Sequence, residues 1–146
     1  TSRLVRTLGL EPRVAMLSFS NFGSVEHASS RKVREATRLV RERDPQLVVD
    51  GEIQLATALD GDLRQRYFPF CDLRQNANVL IFPDLQAGNL ALHLLQKLGD
   101  AVAVGPVLVG TRRPFHVVQI GCSAEDVVHL SAIGAVEAAS RPAGSR

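Results

Sequence analysis

The chain has 146 residues, of which 45% are hydrophobic and 22% are charged, and its formal net charge is +2. This size and composition predict one soluble globular domain with its own hydrophobic core. They exclude a membrane-spanning protein, because no apolar run is long enough to cross a bilayer. They also give no reason to expect a nucleic-acid partner, because the excess of positive charge is small.

Two cysteines, Cys71 and Cys122, lie far apart and lack the spacing of a metal site. We therefore expect reduced thiols and a cytoplasmic protein. The four histidines are scattered, so the sequence predicts no metal site. The chain begins at Thr1 and has no signal peptide, which suggests a piece excised from a longer protein.

Strand and helix patterns alternate along the chain, which predicts βαβ units. The predicted elements are a helix in residues 1–10, a strand at 13–20, a helix capped by Ser29 or Ser30 and ended by Pro45, a strand at 47–50, a weak helical region at 53–68 broken by Gly61, a strand at 79–82, a helix from Asp84 to near Gly99, a strand at 101–104, and a helix from Ser123 to a frayed tail at 141–146.

Residues 79–82 form a short, uninterrupted apolar run, typical of a strand buried on both faces of a parallel sheet. The sequence therefore predicts an α/β fold with this strand central. We expect a mainly parallel sheet with helices on both faces, which is a three-layer α/β/α arrangement.

Polar turns follow the predicted strands at residues 20–24, 50–52, 84–89 and 105–110. In a parallel sheet these turns converge on the carboxyl edge, where backbone N–H groups can hold a phosphate or a carboxylate. Ordinary loop chemistry is the alternative for each turn alone. Six basic residues in the 29–44 helix favour a solvated helix face, with an acidic or phosphorylated ligand as the alternative.

Known chemical motifs give little further help. The chain has neither a Gly-x-Gly-x-x-Gly fingerprint nor a Walker loop, so no nucleotide cradle is predicted. Ser18 and Ser20 have no histidine or carboxylate near them in sequence, so a hydrolase triad is unsupported.

Four segments at the ends of the predicted strands have distinctive sequences: Val-Ala-Met-Leu-Ser-Phe-Ser, Asp-Gly-Glu-Ile-Gln, Asn-Val-Leu-Ile-Phe-Pro-Asp-Leu and Gly-Pro-Val-Leu-Val-Gly. Together, and in this order, they resemble the phosphate acetyl/butyryltransferase family. The resemblance implies the later part of a two-lobed domain, with residues 1–110 as the main α/β lobe and 111–146 as a C-terminal segment and helix. Such enzymes move an acetyl group between coenzyme A and phosphate without a metal or nucleotide cofactor. The acyl-CoA- or phosphate-binding residues that it implies are Ser20, Asn21, Phe22, Gly23, Ser24, Asp84, Asn89 and Arg113.

One stretch departs from the family pattern. Before Gly-Cys-Ser the active transferases carry Asn-Asp-Leu-Ser-Arg, whereas here Gln119 stands at the serine and Ile120 at the arginine. An isoleucine cannot neutralise a phosphate. Asp126 matches the family's catalytic aspartate, but Ser123 and Asp126 also resemble a capping box, and we favour capping.

Residues 20–24 read Ser-Asn-Phe-Gly-Ser, as in the transferase-like C-terminal domain of long bacterial NADP-dependent malic enzymes. This resemblance implies a degenerate domain that binds acetyl-CoA, or a related acyl-CoA, and regulates malate oxidation and decarboxylation by a parent protein. NADP and a divalent metal would belong only to upstream malic-enzyme domains. One alternative is the C-terminal part of an active phosphate acetyltransferase, and another is a structural domain that binds no small molecule.

The last helix suggests self-association as a homodimer or a higher homo-oligomer. It has more apolar positions than one buried stripe needs. They are Val127, Val128, Leu130, Ile133, Ala135 and Val136. The family and the malic-enzyme domains that the chain resembles imply the same, whereas a helix that only completes the monomer's core is the alternative.

Overall fold

The structure is a computed structural model that describes residues 1–140. It contains two compact units, which we describe separately. One consists mainly of Glu11–His93, and the other of Arg3–Leu10 with the residues from Leu94 onward. This division does not coincide with the suggested boundary after Gly110, which stays a prediction about a longer domain. The predicted tail at 141–146 lies outside the described residues.

The unit of residues 11–93 is built on a parallel sheet of three strands. The strands are β1 (Arg13–Leu17), β2 (Val48–Ile53) and β3 (Val79–Ile81), in the order β2-β1-β3. Both neighbours pair with β1 in parallel. The predicted α/β class with a mainly parallel sheet is therefore confirmed.

The prediction that residues 79–82 form the central strand is wrong, because β1 lies between the other two strands. Val14, Ala15, Met16 and Leu17 are all buried, as a strand covered on both faces requires. In β3 only Val79 is buried, and its neighbours are half-buried. An apolar run alone cannot distinguish a central strand from an edge strand, because both present apolar side chains to the core.

Strand β2 continues beyond the predicted end at Asp50, through Gly51 and Glu52 to Ile53. The pairing with β1 shifts its register between Met16 and Leu17. Gly51 has φ of 150°, and a Cβ there would lie 2.6 Å from the Met16 carbonyl oxygen. Only glycine fits this close approach, so the residues predicted to form a turn are part of the ladder.

The helices of this unit are α2 (Ala28–Arg43), α3 (Leu55–Leu59), α4 (Gly61–Tyr67) and the first part of α5 (Leu85–Leu98). Helix α2 packs on β2 and β1. His27 is its N-cap, not Ser29 or Ser30 as predicted; Ser30 instead completes a capping box. The weak helical region at 53–68 is two short helices, with Asp60 capping the second.

The second unit contains α1 (Ser2–Thr7), the last residues of α5 and α6 (Ala124–Ala139). Residues 101–104 form no strand, which corrects a further prediction. Val102 is 82% exposed, and none of the described strands pairs with this stretch. A short apolar run needs a neighbouring strand to satisfy its backbone, and sequence does not reveal whether one is present.

Candidate functional site

Two of the four predicted polar turns, at 20–24 and 84–89, begin at the carboxyl edge of the sheet, and residues 50–52, predicted to be a third, lie in the last part of β2. Residues 20–24 follow β1, Glu52 lies near the end of β2, and Asp84 follows β3. Because the three strands run parallel, their carboxyl ends share one edge. The fourth turn, at 105–110, belongs to the other compact unit.

Glu52 is the centre of this edge, and its side chain is completely buried. Its Oε1 accepts hydrogen bonds from Ser20 Oγ at 2.9 Å and from the Gly23 amide at 2.7 Å. Arg34 donates from Nε to Oε2 at 2.9 Å and from Nη2 to Oε1 at 3.1 Å. One carboxylate thus joins the turn after β1, helix α2 and strand β2.

The surroundings of Glu52 keep its carboxylate charged. Burial by itself raises the pKa of Glu52, but the hydrogen bonds from Arg34, from the Gly23 amide and from the Ser20 hydroxyl lower the pKa below its usual value. A buried charge is tolerated when it is paired and its oxygens are hydrogen-bonded, as they are here.

All five backbone N–H groups of the 20–24 turn already have hydrogen-bond acceptors within the protein. The acceptors for the five amides from Ser20 to Ser24 are, in order, Ser18 Oγ, Ser24 Oγ, the Glu52 carbonyl oxygen, Glu52 Oε1 and the Asn21 carbonyl oxygen. Asn21 Oδ1 accepts from the Gln54 amide at 2.8 Å. An anion bound by these amides would have to replace the acceptors that already satisfy them, and a ligand role for the turn stays a prediction.

Sequence reasoning missed Glu52, since Ser20 and Glu52 are 32 residues apart. The sequence Asp-Gly-Glu at 50–52 indicates a polar segment, but its composition predicts a turn, whereas these residues belong to strand β2. Asp50 is likewise structural in its contacts, because its Oδ1 accepts from Arg41 Nη2 at 2.5 Å and its Oδ2 from the Asp72 amide at 2.7 Å. Two arginines of α2, Arg34 and Arg41, therefore pair with buried carboxylates of β2, whereas Arg31 and Arg38 form exposed ion pairs of the kind that a solvated face predicts.

Asp84 and Asn89 have different surroundings from each other. Asp84 Oδ1 accepts a hydrogen bond from the Ala87 amide at 2.8 Å, which caps the start of α5 as predicted. Asn89 lies within α5 and is exposed. The apolar positions of α5 are exposed too, and none of its residues is buried.

In the other unit the structure brings Gln119, Ile120 and Asp126 together. They line one pocket of about 200 Å³, which we call the 119–126 pocket. Its other lining residues are Gln96, Ala103, Gly105, Val118, Gly121, Cys122 and Leu130. The positions that differ from the family pattern therefore share a cavity with the aspartate that matches it.

Asp126 belongs to a capping box at the start of α6. Its Oδ2 accepts from the Ser123 amide at 2.8 Å and from Ser123 Oγ at 2.9 Å, and its own amide donates to Ser123 Oγ at 3.1 Å. These hydrogen bonds, from the Ser123 backbone first and its hydroxyl second, lower the pKa of Asp126. The predicted cap is confirmed.

Arg113 lies apart from that pocket, in a groove of about 690 Å³ formed by Pro114, His116 and residues of α6. We call it the His116 groove. His116 Nε2 is 3.1 Å from Glu137 Oε2, and both side chains are almost buried. This pair forms a salt bridge when the imidazole is protonated, and neither residue was singled out by the sequence.

Two further findings concern residues 1–140 only. No group of three or more His, Cys, Asp or Glu side chains in that range is arranged to hold a metal ion. None of the helices described there has the length and apolarity needed to span a membrane.

Comparison with known proteins identifies relatives across this range. Residues 1–135 match the family described as "Phosphate acetyl/butaryl transferase". A phosphate acetyltransferase from Thermoanaerobacterium thermosaccharolyticum is 46% identical over 131 residues, which are 90% of this chain and 40% of that protein. An NADP-dependent malic enzyme from Escherichia coli K12 is 42% identical over 139 residues, covering 94% of this chain and 18% of the enzyme.

A solved structure agrees with these sequence matches. The EutD phosphotransacetylase from Staphylococcus aureus superposes with a TM-score of 0.88 at 39% identity, covering 94% of this chain and 43% of that one. The chain thus spans less than half the length of each of these relatives. Residue for residue, the similarity extends over both compact units described above.

Proposed function

Because the chain belongs to the phosphate acetyl/butyryltransferase family, we propose that it binds acetyl-CoA without transferring the acetyl group. In this proposal it is a regulatory and oligomerisation module of a malic enzyme, in which NADP and a divalent metal act only in upstream domains. The relatives of this chain include malic enzymes as well as phosphate acetyltransferases. Membership of the family alone therefore does not decide between a malic-enzyme module and an active transferase.

The observation that carries the proposal is the composition of the 119–126 pocket. Gln119 and Ile120 occupy the positions where the family pattern has serine and arginine, and neither can neutralise charge on a reacting phosphate. Asp126 remains, and its Oδ2 accepts hydrogen bonds from the amide and from the hydroxyl of Ser123, which fits a cap at the start of α6.

The test is an assay of acetyl-CoA formation from acetyl phosphate and coenzyme A, on the full polypeptide that carries this chain. We expect no turnover above the uncatalysed rate, together with saturable acetyl-CoA binding by calorimetry. The matched variant is the double substitution Gln119→Ser with Ile120→Arg, which restores the family pair. Robust turnover by the unmodified protein would overturn the proposal and make Asp126 a candidate catalyst.

The alternative is the C-terminal part of an active phosphate acetyltransferase. Identity does not separate the two, since relatives with that name are 38%, 41% and 46% identical to the chain, and the two malic enzymes are 42% and 41% identical. The same assay decides between the two, and malate-dependent NADP reduction by the full polypeptide gives an independent answer. Regulation predicts that acetyl-CoA changes this malate activity, by an amount typical of couplings of about 1–3 kcal/mol.

A further inference from the structure

Three charged residues are buried in the part of the chain that the structure describes, and one of them is a cation without a counter-ion. Asp50 pairs with Arg41, and Glu52 pairs with Arg34. Arg64, in helix α4, is 3% exposed, and no carboxylate described there forms an ion pair with it. Buried charges in proteins are ordinarily paired, because moving an isolated ion out of water is costly. The unpaired charge of Arg64 therefore requires an explanation.

The hydrogen bonds of Arg64 all go to neutral acceptors. Its Nε donates to the Leu73 carbonyl oxygen at 3.0 Å, and its Nη1 donates to the carbonyl oxygens of Thr57 and Ala58 at 2.7 and 2.8 Å. Its Nη2 donates to Asn76 Oδ1 at 3.0 Å. A guanidinium carries two N–H groups on Nη2, so one of them has no acceptor among the described residues. Arg64 thus connects α3 to the segment after α4, but this structural role explains neither the unpaired charge nor the unused N–H group.

Arg64 lines a cavity of about 570 Å³ formed by α4 and residues 68–74, which we call the Arg64 cavity. This volume lies within the range of roughly 300–1,000 Å³ that is typical of small-molecule sites. Gly61 lines the same cavity, and a Cβ there would lie 3.7 Å from Arg64 Nη2. Gly61 has no positive φ, so its backbone conformation does not require glycine. The lack of a side chain at this position leaves the approach to Nη2 open.

The lining of the Arg64 cavity has a net positive charge. Arg74 also lines it, is exposed, and donates from Nη1 to the Pro69 carbonyl oxygen at 3.2 Å. Among the described residues of the lining, Asp62 is the only carboxylate. Burial raises the pKa of the Cys71 thiol to about 11, so this group adds no charge. Two guanidinium groups and one carboxylate fit a ligand with a single negative charge, whereas Asp62 would repel a dianion more strongly.

Apolar groups form much of the remaining lining. Phe68 is half-buried, Leu73 is buried, and Pro69 adjoins the phenylalanine in sequence. An apolar ligand body would remove these surfaces from water, which is favourable. An inorganic anion would leave them without a partner. The lining therefore suits an anion that carries an apolar group.

We propose that the Arg64 cavity binds a small organic acid with one carboxylate. The carboxylate accepts hydrogen bonds from Arg64 and Arg74, and the apolar body packs on Phe68. Such a ligand supplies the missing counter-ion for the buried guanidinium and an acceptor for its unused N–H group. The inference is independent of the proposed function, because none of the residues assigned to acyl-CoA or phosphate lines this cavity.

The experiment titrates the full polypeptide that carries this chain with sodium benzoate and follows binding by calorimetry at constant ionic strength. Replacing Arg64 itself would leave three carbonyl oxygens without donors, so Gly61→Ala is the better variant. Its Cβ makes an ordinary contact with Arg64 Nη2 and should weaken benzoate binding about tenfold, because it occupies the approach of a carboxylate oxygen. Gly88→Ala is the matched control. Gly88 lies in α5 and does not line the cavity, and a Cβ there would lie 3.7 Å from Phe82 Cβ.

A second pair of variants tests the exposed cation. Arg74→Gln should weaken benzoate binding about threefold, because it removes a charge that solvent partly screens. Arg66→Gln is its control, since Arg66 is exposed in α4, lies 5.2 Å from the centre of the Tyr67 ring and does not line the cavity. Inorganic phosphate is the comparison anion and should bind at least about tenfold more weakly than benzoate.

Saturable benzoate binding that Gly61→Ala weakens and Gly88→Ala leaves unchanged would support the site. The inference fails if benzoate does not bind, or if the two alanine substitutions have equal effects. Phosphate binding as tight as that of benzoate would overturn the assignment to an organic acid. None of these results depends on acetyl-CoA, so the proposed function stands or falls separately.

Discussion

Arg34 and Glu52 form a two-point ion pair in which the carboxylate is completely buried and the guanidinium is 43% exposed. The pair connects α2 to the end of β2, and through Glu52 it holds the 20–24 turn. The cation can be rehydrated when the pair is lost, but the carboxylate cannot without local unfolding. The stability of the fold should therefore depend more on Glu52 than on the exposed ion pairs of helix α2.

Glu52→Gln should lower the free energy of unfolding by about 2 kcal/mol, because it weakens charge-assisted hydrogen bonds to three groups. Chemical denaturation measures the loss. The matched control is Glu35→Gln, which removes an exposed ion pair between Glu35 and Arg38 and should change stability by less than about 0.5 kcal/mol. Equal effects of the two substitutions would show that burial of Glu52 contributes nothing.

The same residue gives a pH dependence. The pKa of Glu52 is lowered in the folded chain, so its contribution to stability is fully present above the unfolded-state value of about 4.3. It is lost as the pH falls through the folded-state pKa. The stability difference between the unmodified chain and Glu52→Gln should thus be constant near neutrality and shrink in acid. Denaturant titrations from neutral pH downward test this, and a difference that grows in acid would contradict it.

Capping of α6 by Ser123 predicts a local effect. Ser123→Ala removes the hydroxyl that accepts from the Asp126 amide and should cost about 1 kcal/mol of stability. Ser131→Ala, at an exposed position inside the same helix, should be neutral or slightly stabilising, since alanine is the better helix former. Denaturation followed by helical circular dichroism compares the two. A harmless Ser123→Ala would argue against the cap.

The two cysteines should react at very different rates. Burial raises the pKa of the Cys71 thiol to about 11, so it is almost entirely protonated at neutral pH. Cys122 is exposed. An aromatic disulfide reagent should therefore titrate one thiol rapidly in the folded chain and both in denaturant. Cys122→Ser should abolish the rapid phase, and rapid reaction of that variant would mean that Cys71 is accessible.

Self-association through α6 stays a prediction, and the structure improves its test. Val127, Val128 and Val136 are 43%, 63% and 42% exposed, so the helix has apolar surface to offer a partner. Light scattering over a concentration series should show a dimer that Ala135→Arg dissociates, with Thr111→Arg as an exposed control. Gly134 is a poor site for this substitution, because a Cβ there would already lie 3.5 Å from the His116 ring. A strict monomer at high concentration contradicts the prediction.

Local patterns could be predicted from the sequence wherever neighbours in the chain determine the structure. The caps formed by Asp84 and by Ser123 with Asp126 join residues only three positions apart, so residue type and spacing are enough to identify them. Val33 and Thr37 are both buried, as two residues four positions apart on one face of α2 can be. Apolar runs also located all three strands, although β2 ends three residues later than expected.

The tertiary structure alone decided which strand is central, which carboxylate is buried and which residues share a cavity. A strand at 101–104 was predicted from composition, yet no neighbour pairs with it among the described residues. The sequence predicts Glu52 in a polar turn. In the structure Gly51 lies close against Met16, and both Gly51 and Glu52 belong to strand β2. The 119–126 pocket includes Gln96, far from Asp126 in sequence. Composition and periodicity describe what neighbouring residues along the chain have in common. Strand pairing, the burial of a charge and the lining of a cavity depend instead on contacts between distant segments, and these contacts form only when the chain folds.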